Sequence, residues 1–94
     1  MSRRVNKRGW IVLVSIPSAD GAFCVDIFEE PTGGFGFQHF RSDAEDQGVW
    51  TPIDSPRTGF SSATEAAAST VADVNWVANQ TTSKQALEDW LGSL

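Results

Sequence analysis

Alternation of apolar and polar residues predicts four β-strands before residue 54. The runs cover residues 10–16, 22–29, 35–41 and 49–53, and they are rich in β-branched and aromatic side chains. Turn residues separate them, as at Asp20-Gly21, a pair that tolerates positive φ. Because the connections are short, we expect successive strands to pair as antiparallel hairpins in one meander.

The same alternation predicts which side chains share a face of the sheet. In the first strand, one face carries Trp10, Val12, Val14 and Ile16. In the second and third strands, the core face carries Phe23, Val25, Ile27, Phe35 and Phe37. The opposite face of these two strands then carries Phe28 and Phe40.

A change to helical periodicity predicts two helices after residue 58. The first lies within 59–78, is rich in Ala, and starts with a capping box formed by Ser62 and Glu65. Its small inner residues would let it pack closely on the sheet. The second helix, within 82–94, repeats the capping pattern at Thr82 and Gln85. We therefore predict an α+β fold: a four-stranded antiparallel β-meander followed by two α-helices, the first packed on one sheet face.

The predicted strands carry more aromatic residues than a single helix layer on one face of the sheet would cover. Phe28, Phe40 and Trp50 would form an apolar patch that is open to a partner. In the alternative, the second helix covers this face through Trp90. Both arrangements stay open at this point. The predicted partner-binding residues are Phe28, Phe40, Trp50 and Trp90.

Charge divides the chain into a basic arm and an acidic body. Residues 1–8 hold four of the seven cationic side chains, and residues 9–94 hold the other three with all twelve acidic ones, a net of -9. We predict a flexible arm over 1–8 and a single α+β domain over 9–94, because a chain of this length rarely holds two cores. The acidic body would repel phosphates, so we expect it to bind no nucleic acid.

Few residues are suited to catalysis or to metal binding. Cys24 and His39 are the only cysteine and histidine, too few for an intrachain disulfide or a structural zinc site. No catalytic or phosphate-binding motif is present, so we predict no catalytic residues, no cofactor and no metal ligands. His39 would pack beside Phe35 and Phe37, or else serve as the base of a small site. Loop 42–48 matches a calcium loop only partly, which leaves cation binding there open.

Location follows from hydropathy and cysteine usage. No apolar run approaches the roughly 20 residues that a membrane span needs. Pro17 and Asp20 interrupt the apolar run that follows the basic start, unlike in a signal peptide. A chain without paired cysteines is typical of a reducing compartment. We therefore expect a cytoplasmic protein that does not bind membranes.

These observations together favour a small non-enzymatic protein-interaction module of bacterial or phage type. We expect a homodimer, formed through the exposed aromatic sheet face or a docked helix, or a complex with another protein. Two alternatives stay open. One is an acidic inhibitor that mimics nucleic acid and binds a basic partner protein; the other is a small ligand-binding or enzymatic domain that uses His39.

Overall fold

The computed structural model describes residues 4–6, 9–43 and 49–94, without the side chains of residues 4, 43 and 49. Within these residues the elements are β1 (Arg4–Val5), β2 (Ile11–Pro17), β3 (Phe23–Glu29), β4 (Phe35–Asp43), β5 (Val49–Pro52), β6 (Arg57–Phe60), α1 (Ala63–Asp73), α2 (Asn75–Asn79) and α3 (Thr81–Gly92). The strands form one antiparallel sheet in the order β1-β2-β3-β4-β5, and β6 also pairs with β4. The predicted α+β fold, with an antiparallel sheet followed by helices, is confirmed.

Two short strands, β1 and β6, add to the four predicted ones. Described residues next to β1 and β2 are hydrogen-bonded to each other: the Asn6 side-chain oxygen accepts from the Trp10 amide at 3.0 Å. Gly9 has a φ of 82°. Such a positive φ favours glycine. Part of the predicted arm therefore pairs with the sheet. The rest of that arm, residues 1–3, 7 and 8, lies outside the described residues, as do residues 44–48 of the acidic loop.

A β-bulge in β2 changes the predicted faces. Val12 pairs with Phe28 and Val14 pairs with Ile27, so Leu13 between them has no residue opposite. One extra residue moves every later side chain to the other face. The prediction of one shared face is therefore wrong, because Val14 and Ile16 lie on the helix side of the sheet whereas Trp10 and Val12 lie on the other.

The start of α1 agrees with its predicted cap. The Glu65 amide donates to Ser62 Oγ at 3.1 Å, and the Glu65 carboxylate accepts from the amide and hydroxyl of Ser61 at 2.8 and 2.6 Å. The two hydrogen bonds from Ser61 lower the pKa of Glu65 below its ordinary value. The predicted single helix is divided at Val74, whose extended backbone (φ -111°, ψ 96°) separates α1 from α2.

The cap predicted for the last helix is wrong. α3 begins at Thr81, one residue before the predicted capping residue Thr82, and no side chain caps it. Gln85 instead donates to Asp89 Oδ1 at 2.8 Å along the helix surface. Ser83 is fully buried and its hydroxyl donates to the Pro17 carbonyl at 2.7 Å, which ties the start of α3 to the end of β2.

The hydrophobic core lies between the sheet and the three helices. Ala66 and Ala67 bring α1 close to the strands, because their side chains occupy little space. Thr70 is also fully buried there and satisfies its hydroxyl on the Ala66 carbonyl at 2.8 Å. The buried residues of this cluster are Ile16, Val25, Ile27, Phe37, Ala66, Ala67, Val74, Val77 and Leu87.

Candidate functional site: a pocket on the open sheet face

A polar row crosses three strands on the sheet face that points away from the helices. Ser15, Asp26 and Gln38 lie directly opposite one another on β2, β3 and β4. Ser15 Oγ donates to Asp26 Oδ1 at 2.5 Å, and Gln38 Nε2 donates to the Asp54 carbonyl at 3.3 Å. These hydrogen bonds already hold the Ser15, Asp26 and Gln38 side chains in place in the folded protein. Binding at this row would therefore cost less side-chain entropy.

An apolar row runs beside the polar one. Its four members, one from each strand from β2 to β5, are Pro17, Cys24, Phe40 and Pro52. Cys24 is a buried thiol whose Sγ donates to Asp26 Oδ1 at 3.6 Å, which links the two rows. Trp50, on β5, is 43% exposed. Polar and apolar groups thus lie side by side on one surface.

The two rows line a pocket of about 780 Å³ that opens to solvent. Its apolar lining comes from Val5, Val12, Trp50 and the four residues of the apolar row. Among the described residues that line it, Asp26 carries the one charged side chain. Sites for small organic ligands enclose roughly 300–1,000 Å³ and combine apolar walls with a few placed polar groups. The pocket has both properties.

Phe28, a predicted partner-binding residue, does not belong to the exposed surface. It is fully buried because the Trp10 ring stacks on it, with ring centroids 4.5 Å apart and an interplanar angle of 25°. Its neighbour across the sheet is Gly36, where an added Cβ would lie 2.7 Å from Phe28 Cζ and overlap the Arg57 carbonyl. This end of the face is therefore closed, and the predicted exposure of Phe28 is wrong.

Trp90, another predicted partner-binding residue, lies on the opposite side of the sheet. It is half-buried and packs against the core, as Leu91 from the same helix does. α3 therefore covers the same sheet face as α1. The alternative in which Trp90 covers the aromatic face is not what the structure shows, and only Phe40 and Trp50 of the four predicted residues come together at the pocket.

His39 also lies on the helix side of the sheet. Its Nε2 accepts a hydrogen bond from Trp76 Nε1 at 2.9 Å, and the Phe23 ring lies 5.7 Å from it between centroids. Burial lowers the pKa of His39, and the negative charge of Asp54 offsets part of this effect. His39 lines neither the open-face pocket nor a smaller polar one of about 320 Å³ beside α3. Its contacts are those of a packing residue.

The described part of the chain holds no group of three or more His, Cys, Asp or Glu side chains that is placed to bind a metal ion. No helix in this part is long and apolar enough to cross a membrane.

The sequence contains partial signals for the pocket. Strand alternation already puts Asp26 and Gln38 on the same face as Phe40. It puts Val12 on the same face as Val14 and Ile16 and not at the pocket, because the bulge at Leu13 has no signature in the alternation. Val5 gives no signal either, since the two residues of β1 are too few to show a period.

Comparison with known proteins gives no further guidance. No known protein family, no curated protein and no solved structure matches this chain significantly. A functional interpretation therefore depends on the geometry of the open sheet face.

Proposed function

We propose that the protein is a non-enzymatic protein-interaction module that binds its partner through the open sheet face. The supporting observation is the uneven cover of the sheet. The helices pack on one face, and the other face presents the pocket with Phe40 and Trp50 at its apolar side. The simplest partner is a second copy of the chain, which would give a homodimer.

The chemistry of this face suits protein recognition. Trp50 is 43% exposed, and a large exposed aromatic side chain is typical of the centre of an interface. The polar row supplies hydrogen-bonding groups beside it, as interfaces usually do. A partner that covers this face would remove apolar surface from water, which is the main favourable term in association.

The other two functions considered have less support from the geometry. His39 is held by Trp76 away from the open-face pocket, so that pocket gives no role to an enzymatic His39. An acidic inhibitor would need its carboxylates on one surface. The described ones lie on separate elements, as at Asp20 in a turn, Glu65 on α1 and Glu88 on α3.

Sedimentation velocity over a wide range of protein concentrations tests the homodimer. The wild-type chain is expected to shift from monomer to dimer as concentration rises. Trp50→Ala should weaken dimerisation by about tenfold, since truncating a central aromatic residue commonly costs more than 1 kcal/mol. Val71→Ala is the matched control, because Val71 is 37% exposed but belongs to α1, which packs on the other face of the sheet.

Two outcomes would contradict the homodimer. One is a wild-type chain that stays monomeric at all concentrations. The other is a dimer that Trp50→Ala and Val71→Ala leave equally strong, which would place the interface somewhere other than the open face.

A further inference from the structure

We propose that His39 and Trp76 form a pH-sensitive latch, which holds the Trp76 side chain of α2 on the sheet and releases it when His39 takes up a proton. The latch lies on the helix side of the sheet, away from the open-face pocket. It goes beyond the protein-interaction function, and it does not depend on whether the chain dimerises.

The hydrogen bond of the latch exists in only one protonation state of His39. Trp76 Nε1 donates to His39 Nε2 at 2.9 Å, so Nε2 carries no proton and the neutral ring is protonated at Nδ1. A protonated histidine has two N–H donors and no acceptor, and the indole nitrogen of a tryptophan is a donor only. Two donors then face each other. Protonation of His39 therefore breaks its bond to Trp76.

The position of α2 depends on side-chain contacts. Extended residues stand at both of its ends: Val74 has φ -111° and ψ 96°, and Gln80 has φ -96° and ψ 120°. A helix of five residues is not stable by itself. Val77 is fully buried and anchors α2 in the core, and half-buried Trp76 anchors it at His39. A proton removes the second anchor and leaves the first in place.

Three rings from three elements meet at the latch. Between centroids, the Phe23 ring of β3 lies 5.7 Å from His39 and 6.5 Å from Trp76, and His39 lies 5.7 Å from Trp76. Phe23 is 37% exposed, so the cluster reaches the protein surface. A Trp76 side chain that leaves His39 uncovers the other two rings. Below the pKa of His39, this edge of the helix layer therefore presents apolar surface that is covered at neutral pH.

The charges around His39 determine the pH at which the latch opens. Burial lowers the pKa of His39 below 6.5, and the negative charge of Asp54, after β5, offsets part of this effect. Arg41, two residues farther along β4, is exposed, so its positive charge adds only weakly to the effect of burial. On α1, Asp73 is paired with Arg57 at 3.2 Å. β3 faces His39 with apolar side chains, and α2 (NWVAN) has no charged residue.

NMR of the 15N-labelled chain tests the latch from about pH 8 to about pH 4.5, a range that brackets an ordinary histidine titration. The ring protons of His39 report its protonation, and the indole Nε1–H of Trp76 reports the hydrogen bond. The Trp76 indole proton is expected to move upfield as His39 titrates, with the same midpoint, which should lie below 6.5. The indole signals of Trp10, Trp50 and Trp90 are internal references and should not follow this midpoint.

Two variants and one control separate the latch from ordinary packing. Trp76→Phe keeps a ring but removes the donor to neutral His39, so the His39 midpoint should rise by about 0.4–1 pH unit, as expected for one net hydrogen bond. Trp90→Phe is the matched control and should leave the midpoint unchanged, because Trp90 is also half-buried in the helix layer but belongs to α3. His39→Gln keeps an acceptor that does not titrate, so the Trp76 indole signal should become independent of pH.

A Trp76 indole signal that stays fixed while His39 titrates in the wild-type chain would overturn the latch, and this result does not depend on how a variant folds. Equal His39 midpoints in the Trp76→Phe and Trp90→Phe variants would overturn it too, as would an indole signal that still titrates in His39→Gln. The Val77 amide distinguishes release of Trp76 from unfolding. It should keep its folded position through the midpoint, and a shift to its unfolded position there would also overturn the latch.

Discussion

The two faces of the central strands carry different kinds of surface. On the helix face, Val25 and Ile27 are fully buried beneath the helix layer, within a core that is mostly apolar and whose polar members, such as Thr70, are hydrogen-bonded. On the other face, Phe28 is buried at one end by Trp10, while Asp26 and Gln38 lie in the middle beside a pocket. Both faces belong to the same strands, and their side chains alternate along each strand.

The difference shows that apolar side chains alone do not determine which face is covered. The first face is covered by a continuous helix layer, whereas one aromatic stack closes only the Phe28 end of the second. The polar row next to that stack is held by hydrogen bonds within the sheet. Polar side chains on a central strand cost free energy when they are buried without hydrogen bonds, and these bonds offset that cost.

The largest expected effect tests whether Phe28, which Trp10 covers at one end of the open face, contributes to stability as much as the core residue Ile27 does. Ile27→Ala should lower the free energy of unfolding by about 2–5 kcal/mol, and Phe28→Ala by about 3–5 kcal/mol. Both residues are fully buried, on opposite faces of the same strand. Urea unfolding monitored by circular dichroism measures both. A loss below about 1 kcal/mol for Phe28→Ala would mean that Trp10 covers it only loosely.

A smaller effect is expected where the helix layer is tied to the sheet. Ser83→Ala removes the hydroxyl that bonds the Pro17 carbonyl at a fully buried position. The free energy of unfolding should fall by about 0.5–1.5 kcal/mol, because a fully buried side chain loses its hydrogen bond to the sheet. Ser93→Ala is the matched control: its hydroxyl makes a bond of the same length, 2.7 Å, to the Trp90 carbonyl, but the residue is exposed. Equal losses in the two variants would contradict the role of burial.

The sequence predicts the helix-covered face better than the open one. Val25, Ile27 and Phe37 alternate strictly and are buried as predicted. Ser62 and Glu65 locate the start of α1, because a helix cap is a local interaction within four residues. Interactions of this range are visible in the sequence.

The open face depends on interactions between distant residues, which the sequence does not show. The bulge at Leu13 alters the faces of β2, and the stack of Trp10 on Phe28 closes one end. The start of α3 is fixed by Gln80, which accepts from the Ala19 amide at 2.6 Å and so joins residues 61 positions apart. Each of these contacts forms only where the folded chain brings distant residues together.

A third effect, smaller again, is the pH dependence of stability that His39 causes where it contacts Trp76. Burial lowers the pKa of His39 from 6.5, so the unfolded chain takes up a proton before the folded chain does. The free energy of unfolding should therefore fall as pH drops from about 8 to about 5.5, with the loss beginning near the unfolded pKa.

His39→Gln removes this titration and should give a flatter profile in the same window. Asp20 and Glu65 also have lowered pKa values, from 3.8 and 4.5, so their contributions are present at higher pH and are lost only below about pH 5. Their titration therefore lies below the pH range in which His39 titrates. Stability that rises on acidification would instead indicate that protonated His39 gains more from Asp54 than it loses from Trp76.

The smallest effect on stability is expected at Trp50, and it is the one that separates the two faces most directly. Because Trp50 is 43% exposed, Trp50→Ala should change the free energy of unfolding by no more than about 0.5–1 kcal/mol in urea titrations. The same variant should weaken dimerisation. A residue that affects binding far more than folding belongs to a surface meant for a partner. If Trp50→Ala instead destabilised the chain as strongly as Ile27→Ala, Trp50 would be part of the packed interior, and the second face would be closed by its own residues.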